Sequence, residues 1–423
     1  MKEPEFEVQP SCADVTVHNS ISVAEARSAI QNQITPLRDQ ETVAIRAALG
    51  RYLACDCQSR LDVPSHTNSA MDGYALLGSD LPSEGVKSFE VIDTVTAGNI
   101  SNKTVKAGQC VRIMTGGSMP AGTDTVVMQE QAQVMDDGSV RIDDRHRVGQ
   151  NVRHIGEDIA RDSVVFNEGR KLSAADVGVL ASLGVAELRV KRRPRVAFFS
   201  TGDELRSMGD QLEEGQVYDS NRYTLYSMLT TAGAEVLDMG VIKDDKEALE
   251  EAFARASKMA DVVITSGGVS VGEADYTKEI LERLGEMDFW SLAMKPGRPL
   301  TFGKIGNALF FGLPGNPVAV MLTYMQFVEP ALRYFSSGEW PKLLLLKARS
   351  EAKLKKKPGR FEYVRGILSY DDQGDLTVCP SGTQGSGVLT SMSRSNCLVL
   401  LNEELNVVEP GDTVTVQPYD VVL

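Results

Sequence analysis

Apolar positions in the first 20 residues follow no period, and this stretch reads as a flexible tail. From Ser22 the pattern becomes helical. Ser22 and Glu25 stand at capping-box spacing, with Val23, Ala26, Ile30 and Ile34 following at helical intervals. Between about Glu41 and Arg147 the apolar positions gather into short β-like runs (TVAI, YLAC, FEVIDTV, QCVRIM, DTVVMQ) broken by turn signals such as Asp137-Gly138, which predicts a small β-rich domain. Ser173 and Asp176 form a second capping pair, with Gly184 as the stop of an αβ connector.

From Arg195 to Phe335, buried-looking strands (VAFF, AEVLDMGVI, DVVIT, ALFFGL) alternate with helical segments (YTLYSMLTTAG, KEALEEAFARASKM, TKEILERLG, VAVMLTYMQF). Such alternation predicts a doubly wound α/β sheet. Beyond Pro341 short strands return (EYVRGIL, LTVCP, CLVLL, TVTVQ), predicting a closing β-barrel or sandwich. A chain of 423 residues has room for such a multidomain layout.

Composition narrows the function classes. The balance of 44 Lys plus Arg against 58 Asp plus Glu leaves a net charge of −14, which argues against nucleic acid as a partner. The basic runs 191–195 (KRRPR) and 353–357 (KLKKK) read as solvated faces. No apolar stretch approaches the roughly 18 residues of a membrane span, so no membrane association is expected. The six cysteines contain no CxxC and the N-terminus is too polar for a signal peptide, so a reducing, cytoplasmic setting is expected. The four histidines are scattered, and a metal would have to be held by carboxylates.

Ligands of open α/β sheets sit beyond the carboxyl ends of the strands. Three loops there draw attention: Ser200-Thr201-Gly202-Asp203-Glu204-Leu205, Ser266-Gly267-Gly268-Val269-Ser270 and Pro314-Gly315-Asn316-Pro317. Paired glycines let consecutive N–H groups face one anion, and Asn316-Pro317 has the form of a helix cap followed by a first-turn proline. Both devices suit phosphate; the competing reading is that glycine and proline merely shape tight turns. Glu204, Asp244 and Asp275 accompany these loops, an arrangement by which Mg²⁺ can bridge protein oxygens and substrate phosphates. The alternative is helix capping by Asp244, Asp245 and Asp275. Lys295 and Arg298, on a turn stiffened by two prolines, suit an oxyanion. In the β domain, NSAMDGYA (68–75) and MTGG (114–117) read by themselves as turns.

Taken in order, NSAMDGYA, RIMTGG, STGDEL, YDSNRY, TSGGVSVGEADYTK, MKPGRP and LPGNPVAV resemble the MoeA family of molybdopterin molybdenumtransferases and the E domain of gephyrin, over nearly the whole chain from about residue 20. The resemblance implies insertion of molybdate into adenylylated molybdopterin, with Mg²⁺-dependent release of AMP. It implies a molybdopterin-binding α/β domain at 21–39 and 190–335, a connector at 40–58 and 160–189, a β-rich domain at 59–159 and a C-terminal β-barrel domain at 336–423, after a tail at 1–20. By motif position, Asp72, Thr115, Glu204, Asp244, Asp275, Lys295, Arg365 and Ser386 resemble the family's functional residues. Glu204, Asp244 and Asp275 are assigned to metal and phosphate, and Lys295 to the anion. Thr201, Gly202, Ser266, Gly267, Gly268, Ser270, Arg298, Pro314, Gly315 and Asn316 are expected to line the substrate.

As partners the resemblance implies a homodimer in which the β domain bearing Asp72 and Thr115 reaches the partner's pocket, together with molybdopterin adenylyltransferase and recipient molybdoenzymes. Two positions depart from the family: Ser291 stands where many relatives have lysine, and Ala319 where they often have serine. The other readings are a molybdopterin adenylyltransferase, which the diglycine loop and nearby aspartate also fit, and a gephyrin-like binding scaffold.

Overall fold

The computed structural model describes residues 20–267 and 275–419. The chain divides into two compact units, residues 1–41 with 191–423, and residues 42–190.

In the first unit, a six-stranded sheet runs in the spatial order Glu235–Ile242, Arg195–Thr201, Val262–Ser266, Ala308–Leu313, Pro299–Ile305, Gly285–Ser291. The first four strands are parallel and the last two antiparallel. The parallel strands read as continuous apolar runs because both faces are covered. Val196, Phe198, Ile264 and Phe311 pack on one side with Ile30 of helix Val23–Gln33 and Leu225 and Leu229 of helix Ser220–Thr231. Ala197, Phe199, Val263 and Phe310 pack on the other with Phe253 of helix Lys246–Met259 and Ile280 and Leu281 of helix Asp275–Leu284. There Phe253 meets Phe199 and Phe310 edge-on at 5.2 and 5.7 Å between ring centroids.

The strand first in sequence, Arg195–Thr201, therefore lies inside the sheet, and the helices that leave it and Val262–Ser266 fall on opposite faces. Between the carboxyl ends of those two strands is the topological switch point, the place at which open α/β sheets receive their ligands.

The barrel-or-sandwich alternative resolves to a closed five-stranded barrel. Strand Phe361–Tyr370 pairs with Leu376–Pro380 along one part and with Cys397–Leu401 along the other, and Leu346–Ser350 and Thr413–Pro418 complete the ring. Met294–Lys295 adds to it, parallel to Phe361-Glu362.

The second unit holds a six-stranded sheet ordered Thr125–Met128, Gly73–Leu76, Gln109–Ile113, Val86–Val95, Val140–Asp143, Ala132–Val134. Helix Ala174–Ser182 begins at the expected box, with Ser173 and Asp176 capping reciprocally. The run YLAC forms only isolated bridges at Tyr52 and Leu53. The tail expected at 1–20 lies outside the described residues except for Ser20, whose hydroxyl meets that of Ser291 at 3.0 Å.

Candidate functional site

Ser200 and Thr201 end one switch-point strand and Thr265 and Ser266 the other, with Ser200 in register with Ser266. All four are buried. The hydroxyls of Ser200, Thr201 and Thr265 have no hydrogen-bond partner among the described residues. Leaving such a group unsatisfied costs about 1–3 kcal/mol, and strand alternation sets Ser200 with Ser266 on one face and Thr201 with Thr265 on the other, so unsatisfied polar groups flank the switch point on both sides of the sheet.

Gly267 has φ +88°, and a Cβ there would stand 2.6 Å from the Thr201 carbonyl oxygen. Glycine is required for this approach of the two loops. Its N–H donates to the Leu313 carbonyl of the adjacent strand at 3.2 Å, extending the parallel ladder rather than facing an anion as the paired-glycine reading expected. Glu204 folds back over Gly202, its carboxylate 2.6 Å from where a Cβ would be. Asp245, not Asp244, caps helix Lys246–Met259 through the Ala248 N–H. Asp244 lies exposed just past strand Glu235–Ile242, the parallel neighbour of the strand that leads to Glu204. Gly268 and Ser270 lie outside the described residues; Asp275 opens its helix, but its side chain is also outside them.

In the third loop, Asn316 takes the N-cap position of helix Pro317–Thr323 without a side-chain capping bond. The Val318 N–H donates instead to the Ser386 carbonyl at 3.1 Å, which brings Ser386 of the barrel onto this loop. Arg365 is responsible for that placement. It is 1% exposed; its Nε donates to Ser391 Oγ (3.1 Å), its Nη2 to the Gly385 carbonyl (3.0 Å), and its N–H to Gln384 Oε1 (2.9 Å). No carboxylate pairs with it among the described residues, and burial lowers its pKa from the ordinary value.

Two further cations belong to this unit. Lys295 is half exposed, with Nζ 3.5 Å from Oε2 of the buried Glu362. Arg298 Nε donates to Ser291 Oγ at 2.9 Å, so Ser291 orients the guanidinium.

Asp72 and Thr115 come together in the other unit. The Thr115 N–H and Oγ1–H both donate to Asp72 Oδ1 at 2.7 Å, and these bonds, the N–H first, hold the Asp72 carboxyl below its usual value. The sequence reading gave no role to Asp219, Asn221 or Glu362. YDSNRY carried a signal for the first two: an Asp three residues before Arg222 is a helix cap, and it places the Asn in the first turn.

A switch-point α/β sheet whose loops meet a closed β-barrel, with a β-rich unit inserted in the chain, is a multidomain α/β architecture with its chemistry at one sheet edge. Residues 197–334 match the probable molybdopterin binding domain, 21–184 the MoeA N-terminal region (domain I and II) and 347–419 the MoeA C-terminal region (domain IV). The chain is 40% identical over 404 residues to the molybdopterin molybdenumtransferase of Haemophilus influenzae, covering 95% of this chain and 100% of that protein. It is 37% identical over 393 residues to that of a Nostoc species, covering 90% and 89%. A crystal structure of the molybdopterin biosynthesis MoeA protein from Pyrococcus horikoshii superposes with a TM-score of 0.81 at 28% identity, covering 95% of this chain and 100% of that one. The chain belongs to the MoeA family of molybdopterin molybdenumtransferases and is a transferase of molybdenum cofactor biosynthesis.

Proposed function

We propose that this transferase takes adenylylated molybdopterin as substrate, inserts molybdate into its dithiolene and releases AMP, with Mg²⁺ as cofactor. The observation that carries this reading is that the carboxyl ends of the two switch-point strands hold unpartnered buried hydroxyls, Ser200 on one face and Thr201 and Thr265 on the other. A phosphate ester or anhydride supplies the oxygens such hydroxyls lack. Ser266, with the Pro314-Gly315-Asn316 loop, borders the same sheet edge, where Gly267 lets its loop approach Thr201 and Gly202 lets the Glu204 carboxylate fold back. Lys295 and Arg298 receive molybdate, and Arg365 holds the loop that carries Ser386.

Glu204 and Asp244 lie just past the ends of adjacent parallel strands, one of which ends at Thr201. This all-oxygen set fits Mg²⁺, which takes one or two carboxylates beside substrate phosphates. Among the described residues no group of three His, Cys, Asp or Glu side chains forms a complete cage. Asp275 is assigned to the same task by its motif. When bound, the ion offsets charge on the anhydride oxygens.

The protein acts as a homodimer in the cytoplasm, receiving substrate from molybdopterin adenylyltransferase and passing product to molybdoenzymes. Cys55, Cys57, Cys110, Cys379 and Cys397 are free thiols, in keeping with a reducing compartment.

The test is AMP release from adenylylated molybdopterin by the purified protein with Mg²⁺, with and without molybdate, beside Glu204→Gln and Asp275→Asn. Molybdate-dependent release, reduced at least about 100-fold in both variants, is expected. Consumption of ATP would instead make this an adenylyltransferase, and binding without release a scaffold.

A further inference from the structure

We infer that Asn221 is the positioning residue that makes the Ser266 hydroxyl an obligate hydrogen donor toward the substrate phosphate; this deepens the phosphate reading of the switch point and rests on it. Helix Ser220–Thr231 starts at Asp219, whose Oδ1 accepts the Arg222 N–H at 3.0 Å. That cap sets Asn221 in the first turn, from which its side chain reaches two loops. Nδ2 donates to Ser266 Oγ at 2.9 Å and to the Gly315 carbonyl at 2.7 Å. Both of its hydrogens are thereby spent.

A carbonyl can only accept, so the Gly315 contact fixes which end of the amide is nitrogen. Ser266 Oγ already receives a hydrogen from Asn221, and its own hydrogen must therefore point elsewhere. No acceptor for it exists among the described residues. The Gly267 N–H, the next donor along the chain, is taken by the Leu313 carbonyl. Among the described residues of this loop the Ser266 hydroxyl is a donor left for an anionic oxygen, beside the Ser200 hydroxyl at the end of the neighbouring strand, and Asn221 decides its direction. Asn221 Oδ1 and Ser200 Oγ, both buried, have no partner among the described residues, so the enclosure around this contact is polar and awaits one.

The experiment is a double-mutant cycle read by titration calorimetry, with AMP and inorganic phosphate as probes and adenosine as the phosphate-free control. Ser266→Ala in the otherwise native chain is expected to weaken AMP and phosphate about tenfold, equivalent to about 1.4 kcal/mol, and leave adenosine unchanged. Asn221→Asp is isosteric, gives up the bond to the Gly315 carbonyl, and turns the Ser266 hydrogen toward its own carboxylate. In that background Ser266→Ala is expected to cost nothing further. The added charge is present in both arms of that comparison and drops out of the coupling. The same non-additivity is expected with Asn221→Ala. A tenfold loss from Ser266→Ala in every background overturns the role of Asn221 alone. Failure of the native chain to bind either AMP or phosphate overturns the phosphate reading, and this inference with it.

Discussion

Gly267 is where two loops come closest, and its side chain is excluded by the Thr201 carbonyl rather than by any ligand. Gly267→Ala sets a Cβ 2.6 Å from that oxygen on a φ of +88°. It is expected to lower stability by about 2 kcal/mol, seen in thermal unfolding, and to abolish the AMP-induced rise in midpoint. Asp261 shows how one ion pair ties stability to pH. Arg192 grips it with two bonds of 2.7 and 2.8 Å while its Nε reaches Asp39 at 2.9 Å, and the Arg195 N–H also donates to Asp261. Burial pushes the Asp261 carboxyl up, but these donors outweigh it and hold it below the usual value. A folded-state pKa below the unfolded one means that the unfolded chain takes up the proton first as pH falls. The contribution is therefore full above about pH 4 and lost as pH drops through the folded value. Asp261→Asn is expected to be less stable than the native chain in urea at pH 7, with the gap closing toward pH 3.

At the scale of elements, two helices are started by reciprocal capping boxes, Ser22 with Glu25 and Ser173 with Asp176. Ser22→Ala and Ser173→Ala are each expected to cost about 1 kcal/mol by urea denaturation. Ser173→Ala should cost the more, because Asp176 is buried and also pairs with Arg170 at 2.8 Å. Both boxes were legible in the sequence, since a cap is local chemistry at fixed spacing. The cap expected of Asn316 is absent because the N-terminus of its helix is served from the barrel, through the Ser386 carbonyl. YLAC, with a β-like composition, finds only single bridges, since strand formation needs a paired neighbour.

Across the first unit, the barrel is joined to the α/β sheet by a buried polar cluster. Gln326 lies in the π-helical turn Tyr324–Val328 and is fully buried. Its Nε2 donates to Gln417 Oε1 at 3.1 Å, and its Oε1 accepts from Arg27 and, at 3.3 Å, from the Tyr363 hydroxyl. Gln326→Ala strands these partners and is expected to cost about 2–4 kcal/mol. In hydrogen exchange, strands Phe361–Tyr370 and Thr413–Pro418 should lose protection before Arg195–Thr201 does, whereas equal loss everywhere would mean that the cluster does not join the two parts.

The order of strands and helices, the two capping boxes, the three loops at the sheet edge and the family could all be read from the sequence, because each depends on periodicity or on neighbours close along the chain. Other features depend on residues far apart in sequence. The basic run 191–195 read as solvated face, yet its Arg192 grips an aspartate 69 residues away. Gly267 was expected to offer its N–H to an anion, but the adjacent strand takes it. Asn221 carried no chemical signature of its own, and its importance arises because the fold sets Ser266 and Gly315 against it, 45 and 94 residues on. The sequence by itself determined which elements form and which chemistry gathers at one sheet edge. Only the tertiary structure decided which donors are spent and which remain, because a hydrogen bond is allotted by proximity in space.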